Sequence, residues 1–408
     1  MTADDADERQ MRSWAALILI AIAMGSTISG SAATTGAGPT HSLVRARTGA
    51  LFPGPSSAVV PPAIDSTGSA DVTNALNAYL AQVSDGSTIV FRAKGRYRIE
   101  GTLSLETRRN IVIEGQGATF FAKTNGLNRA PRGCDRRSSA CRYPNRTRAQ
   151  WSFMNDTNIV VRNVNVIGSA AHPGPNGTYD AALEAQHAFK ILGGSGIVLD
   201  HVSARNVWGD LVNVGAASMN VVVENSTFHG ASRQGWSITS GQHVTFINNS
   251  VYSARRSLID IEANASNDKI AYITILNNRL GSNRFCTVSN YGAPAVEHDF
   301  VITGNRAIGS TPIKICVKAS PTARRSNFEI SRNVGPMGVH GQNDPMVSIA
   351  YVDHVTVKDN VVRFSASRWP WRGSPQAPVT SKCSSVVLTA NRFTPRPVGM
   401  AESVQNGC

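Results

Sequence analysis

The chain has 408 residues with 41% hydrophobic content, enough for a sizeable core, which excludes a disordered chain. Forty Lys and Arg against 27 Asp and Glu leave +13 at pH 7, a balance that favours anionic partners. Nucleic acid is set aside as that partner, because neither a zinc-ligand spacing nor a basic recognition helix is present.

Met11-Arg12-Ser13-Trp14 precedes the apolar run AALILIAIAMG at 15–25, and small residues follow it. This is the order of a secretory signal, with cleavage near Ala32 or Ala33. Residues 1–33 are therefore read as a signal peptide, with an uncleaved anchor as the alternative, and the protein as secreted or cell-surface. No later segment is apolar enough to span a bilayer. Residues 34–63, rich in Ala, Gly, Thr, Ser and Pro, read as a flexible linker, and 64–408 as one folded domain, expected to be monomeric.

In chain order the folded part begins with DVTNALNAYLAQV at 71–83. Val72, Leu76, Leu80 and Val83 share one helical face, with Ser69 or Asp71 as N-cap, so this segment is predicted to cap one end of the fold. GSTIVF (86–91), GRYRIEGTLSL (95–105) and NIVIEG (110–115) read as the first strands. The segment 128–148 carries seven arginines, Arg129, Arg132, Arg136, Arg137, Arg142, Arg146 and Arg148, and is read as an anion-attracting loop.

From residue 158 one pattern recurs, a β-branched apolar run closed by a polar residue. The closing residues are Asn163, His201, Asn225, Asn249, Asn278, Asn305, Asn333, Asn360 and Asn391, spaced by 24 to 31 residues after a first gap of 38. They are predicted to stack as an amide ladder. Three residues before each stands a large apolar residue, beginning Val160, Val198, Val222 and Phe246, predicted to form an inward column. A second strand follows in most repeats, as in AFKIL (188–192), DLVNV (210–214), GWSIT (235–239), LIDIE (258–262) and CTVSN (286–290). Repeats of this length built only from short strands predict an all-β, right-handed parallel β-helix.

Six cysteines behind an export signal predict disulfides, and chain order suggests Cys134–Cys141, Cys286–Cys316 and Cys383–Cys408.

Aligning the second strands places Phe189, Val212, Trp236 and Ile259 inward. Lys190, Asn213, Ser237 and Asp260 then point outward, with His187, Asp210, Gln234 and Ser257 two residues before the inward column. Layers ~4.8 Å apart gather His187, Lys190, Asp210, Arg233, Arg256, Asp260 and Glu262 into one patch, beside a loop carrying Tyr179 and Glu184. The predicted catalytic set is Asp210, Asp260, His187 and Arg233. Glu262, Lys190, Arg256, Asn213, Gln234, Glu184 and Tyr179 are the predicted substrate-binding residues.

In hydrolysis, Asp210 and Asp260, two layers apart, would serve as acid and base at the wide end of the about 6.5–9.5 Å inverting separation. In elimination, Arg233, Arg256 or Lys190 would bind a uronate carboxylate and His187, oriented by the Asp210 carboxylate, would take the proton. No cofactor is expected, although Asp210, Asp260 and Glu262 carry the oxygen ligands that Ca²⁺ favours. Trp369 and Trp371, in RWPWRGSP, are candidate sugar-stacking surfaces.

The segments IDSTGSADVTNALNAYLAQVSDGSTIVF, RRNIVIEGQGATF, YDAALEAQHAFKI, GDLVNVG, RQGWSIT and RRSLIDIEAN resemble the pectate-lyase-like superfamily, in particular exported β-helix repeat proteins of actinobacteria. The resemblance covers residues 64–400 and implies a β-helix acting on or binding a polysaccharide. Such folds host lyases, glycosidases, epimerases and adhesion modules. The chain lacks the Asn-Thr-Asp, Asp-Asp and Gly-His-Gly set of polygalacturonase-like hydrolases and the Asp-Pro-His-Asp string of alginate epimerases. The functional expectation is an exported polysaccharide lyase or inverting glycoside hydrolase, with a noncatalytic glycan-binding or adhesion module as the alternative.

Overall fold

A computed structural model describes residues 56–125, 147–309, 311–336, 345–363, 379–394 and 403–406. The signal segment, most of the arginine-rich loop, Cys134, Cys141, Cys408, Trp369 and Trp371 lie outside the described residues.

The chain winds as a right-handed parallel β-helix. One face is an 11-stranded parallel sheet whose strands follow one another in sequence order, from Leu103–Glu106 through Phe189–Leu192, Val212–Gly215, Trp236–Ile238, Ile259–Ala263 and Val288–Gly292 to Ser403–Asn406. Each intervening layer adds up to two further strands, such as Ser218–Glu224 and Thr227–Ala231. These pair in parallel with Gly241–Ile247 and Ser250–Ala254 of the next layer. Short strands suffice here because every strand but the first and last in a sheet is paired on both edges.

The core is the interior of this tube. Trp151 packs against Phe120 and Phe153 in the early layers, and Trp236 stacks on Phe246 at 4.1 Å in the middle ones. The helix Thr73–Gln82 covers the N-terminal part with Val72, Leu76, Leu80 and Val83, all buried. Val72 is its N-cap, and the Asp71 carboxylate accepts the Thr73 N–H at 3.1 Å. Ser69 instead donates to Asp65. The folded part also takes in residues read as linker, because Ser56–Val59 pairs with Ser87–Val90.

The repeat has two corner columns where the sequence suggests one. Pairing of Glu224 with Ile247 sets Asn225 beside Asn248, one residue before the ladder. Asn163, His201, Asn225, Asn248 and Asn277 all take positive φ, between 50° and 57°, and make the sharp turn. The amide ladder proper is the next column, Asn249, Asn278, Asn305, Asn333, Asn360 and Asn391. From Asn249 to Asn360 each Nδ2 donates to the Oδ1 of the following layer at 2.9–3.1 Å, and that Oδ1 also accepts the backbone N–H of the same donating asparagine. Ser226 precedes the ladder, its N–H donating to Asn249.

Asn163, His201 and Asn225 therefore stand outside the ladder. The same one-residue slip turns Val160, Val198 and Val222 away from the core and puts Val161, Leu199 and Val223 inside.

Of the predicted disulfides, Cys286–Cys316 is present, and Cys383 is disulfide-bonded. Among the described residues no helix is long and apolar enough to cross a membrane.

Candidate functional site

The predicted register of the site sheet holds. Phe189, Val212, Trp236 and Ile259 are mutual neighbours and fully buried. On the outer face Lys190, Asn213, Ser237, Asp260 and Ser289 follow one another layer by layer. Asp260 and Glu262 stand on that same face of Ile259–Ala263, with Ile259 and Ile261 buried between them.

Arg233 organises the patch. Its Nη1 donates to Asp210 Oδ2 at 2.7 Å, its Nη2 to Glu262 Oε2 at 3.3 Å, and its Nε lies 3.6 Å from Glu184 Oε2. Burial alone would lower the guanidinium, but Asp210, Glu262, Glu184 and Asp260 together hold it above its usual range. It stays charged at every accessible pH.

Asp210 lies beneath this arginine and is 0% exposed. Besides Arg233 it accepts the Ser237 hydroxyl at 2.7 Å and the Gln234 N–H at 3.1 Å. Burial pushes its carboxyl up, against the pull of Arg233, Ser237 and Gln234. A group so enclosed cannot meet water or a glycan, so Asp210 supports Arg233 and does not act as the second carboxylate of a hydrolytic pair.

His187 is placed differently from the sequence expectation. Its Nδ1 accepts the backbone N–H of Asp210 at 3.0 Å, while the Asp210 carboxylate stands 3.5 Å away. Burial, then Arg233 and Lys190, press its pKa well below the ordinary value, so the ring is neutral with its proton on Nε2. The nitrogen that would take a proton is already occupied.

Asp260 is the titrating group of the patch. It is 6% exposed and accepts hydrogen bonds from Gln234 Nε2 and the Ser289 hydroxyl. Burial, then the Glu262 charge, raise its carboxyl to about 8, and the two carboxyls share a hydrogen bond. At neutral pH Asp260 carries a proton, held against the half-exposed Glu262.

The loop before the sheet supplies the outer wall. The Tyr179 hydroxyl donates to Glu184 Oε2 at 2.6 Å, and the Arg256 guanidinium lies over the Tyr179 ring at 4.6 Å. Gly209 lets this loop approach, because a Cβ there would stand 2.3 Å from the Glu184 carbonyl oxygen and 2.9 Å from His187 Nδ1. Lys190 is lowered by burial and forms no ion pair among the described residues. Asn213 donates to Ser237 at 2.8 Å and so braces the hydroxyl that serves Asp210.

The structure thus brings together the residues predicted for the sheet-face patch, while the predicted stacking residues Trp369 and Trp371 lie outside the described residues. It gives Ser237, already placed in the outward column, a role as donor to Asp210, and adds Ser289, which continues that column and was legible by extending the register one layer. Arg148 departs from the arginine loop's expected role. It is 6% exposed and donates to the Glu100 carbonyl, Ser169 and Gln186, so it ties layers together.

Between Asp210 and Glu262, two of the carboxylates named as possible Ca²⁺ ligands, stands the Arg233 guanidinium.

Residues 62–310 match the model of the rhamnogalacturonase A/epimerase, pectate lyase-like family. The chain belongs to that family. The match includes all of the patch just described. No curated protein sequence matches the chain. Among solved structures it is similar to an endo-xylogalacturonan hydrolase from Aspergillus tubingensis, with TM-score 0.57 and 14% identity over 86% of this chain and 95% of that one. It is equally similar to PfbA, a surface adhesin of Streptococcus pneumoniae, with TM-score 0.57 and 14% identity over 83% and 90% of the two chains. It is also similar to the A-module of the Azotobacter vinelandii mannuronan C-5 epimerase AlgE4, with TM-score 0.52 and 13% identity over 84% of this chain and 97% of that one. At these identities the likeness is one of fold.

Proposed function

We propose that the protein is an exported enzyme that hydrolyses a polysaccharide laid along the outer face of the 11-stranded sheet. The observation that carries this reading is the Asp260–Glu262 pair, a buried carboxyl whose protonated form burial and the Glu262 charge favour, set on the same strand face as a half-exposed carboxylate that Arg233 holds. Glycoside hydrolysis needs a proton for the leaving oxygen at a pH where an ordinary carboxyl has lost it. Asp260 holds that proton, and the half-exposed Glu262 beside it relays it to the leaving oxygen, which leaves Asp260 ionised until solvent returns the proton. Glu184, also half-exposed and held on the far side of Arg233, is the carboxylate positioned to activate water. Arg233 fixes both and is itself fixed by Asp210.

A second reading, a noncatalytic glycan-binding surface, is favoured by one observation. Arg233 already pairs with three carboxylates, so the charges compensate one another without any reaction.

A cleavage screen separates the two readings. The mature protein is incubated with polygalacturonate, xylogalacturonan, alginate and arabinoxylan, beside Glu262→Gln. New reducing ends without ultraviolet absorbance of an unsaturated uronate, lost in the variant, support hydrolysis. Absorbance accompanying the reducing ends would mean elimination. Retention of a polymer with no cleavage by either protein would mean adhesion.

A further inference from the structure

One layer beyond Asp260 and Glu262 the surface changes character. Strand Val288–Gly292 pairs directly with Ile259–Ala263, setting Ser289 beside Asp260 and Tyr291 beside Glu262. In the following layer Cys316 continues the outward column next to Ser289. Its sulfur is bonded to Cys286, so a disulfide lies across the outer face of the sheet at the end of the polar patch.

Two aromatic residues flank that bridge. Phe285 precedes Cys286 and is 45% exposed, and Tyr291 is 37% exposed. The Tyr291 hydroxyl lies 4.0 Å from Cys286 Sγ, so its ring reaches back along the strand toward Phe285. The Arg284 guanidinium sits 5.8 Å from the Phe285 ring centroid. Most large apolar side chains of this layer are inside the tube, Val288 and Ile315 among them. Cys286 and Cys316 are themselves buried, at 7% and 3% exposed, so the rings and not the sulfurs present the surface, and exposed rings suit the C–H face of a pyranose, which stacks on aromatic surface while its hydroxyls stay in water.

We propose that Phe285 and Tyr291, braced by the buried Cys286–Cys316 bridge, form a sugar-stacking subsite, holding the pyranose next to the one that meets Glu262. It rests on the reading of the sheet face as a glycan site. Layers ~4.8 Å apart place the platform about one sugar residue beyond the carboxylates. The bridge fixes the platform by joining two consecutive layers, and the proximity of Tyr291 to Asp260 couples it to the acid. Burial, then the Asp260 charge, raise the tyrosine hydroxyl above its ordinary range, so it remains a neutral donor.

The test is affinity electrophoresis in gels holding polygalacturonate, xylogalacturonan, alginate or arabinoxylan, with reducing-end assays on the same proteins. Compared are the parent, Phe285→Ala/Tyr291→Ala and Tyr291→Phe, with the bridge verified by intact mass and folding by circular dichroism. The expected result is retardation of the parent by at least one polymer, about tenfold weaker binding in the double alanine variant and near-parental binding in Tyr291→Phe. The subsite is overturned if the folded double variant is retarded like the parent, or if no polymer retards the parent. Should the double alanine variant unfold, Phe285→Leu/Tyr291→Leu, which keeps apolar bulk without a ring, must show the same weakening. Ring-dependent retardation without reducing ends keeps the subsite and removes hydrolysis. Cleavage undiminished without the rings does the reverse.

Discussion

Arg233 closes over Asp210, its Nη1 2.7 Å from a carboxylate that no solvent reaches. The arginine turns a buried charge into a foundation, and its other nitrogens then hold Glu262 and Glu184 at the surface. Arg233→Met would strand Asp210 without its partner, at a cost of about 3–5 kcal/mol in urea unfolding. Adding Asp210→Asn should restore much of that loss, since the orphaned charge is then gone. A single variant within 1 kcal/mol of the parent would show that Asp210 is not ionised beneath the arginine.

Asp260 ties stability to pH. Between the ordinary carboxyl range and about pH 8 the folded chain keeps a proton that the unfolded chain has lost. This group's contribution to stability therefore falls as pH rises across that window. Asp260→Asn cannot ionise, so its stability relative to the parent should improve from pH 5 to pH 8 in matched unfolding series. Its activity should fall by about 10²–10⁴-fold if the proton passes through this carboxyl. Parental activity should decline on the alkaline side with an apparent pKa near 8.

The two corner columns predict opposite sensitivities. Asn278→Ala removes a fully buried amide that serves Asn249, Asn305 and the Phe246 carbonyl. Orphaning those groups should cost about 3 kcal/mol. Asn225→Gly leaves the turn intact, because glycine accepts its φ of 51°, and should stay within about 1 kcal/mol of the parent. Equal losses in the two would contradict the assignment of the ladder to the second column.

Gly209 is the contact on which the outer loop rests. Gly209→Ala drives a methyl group into the Glu184 carbonyl and should lower stability by about 1–3 kcal/mol. It should also lift Glu184 off Arg233, so any cleavage should drop although every charged group remains. Unchanged melting and unchanged cleavage would mean that the loop is not seated as described.

Much of this was readable in the sequence, and the failures have physical reasons. The site sheet was legible because Trp236 and Ile259 alternate with polar residues, and alternation fixes a face without further information. The ladder was misplaced in its first three layers because asparagine serves two adjacent columns. It is favoured at a positive-φ corner, as at Asn225, and as a stacking amide, as at Asn249. Only strand pairing tells these uses apart. Sequence placed His187 beside Asp210 but could not say whether backbone or carboxylate would reach the imidazole. Nor could it show that Arg148, the last of seven arginines in one run, turns inward to Glu100 and Gln186.

The ladder also bears on how long such a molecule can be. From Asn249 to Asn391 each layer offers the next the same donor and accepts the same oxygen, so one rung is chemically interchangeable with another. A whole turn inserted or lost among the rungs past the Cys286–Cys316 bridge alters the height of the tube and leaves each rung-to-rung junction as it was. The stretch that carries Arg233, Asp260 and Glu262 has no such freedom, because its contacts bind particular layers to one another. The protein therefore joins a segment of fixed count, where position is chemistry, to an extensible one, where position is only distance.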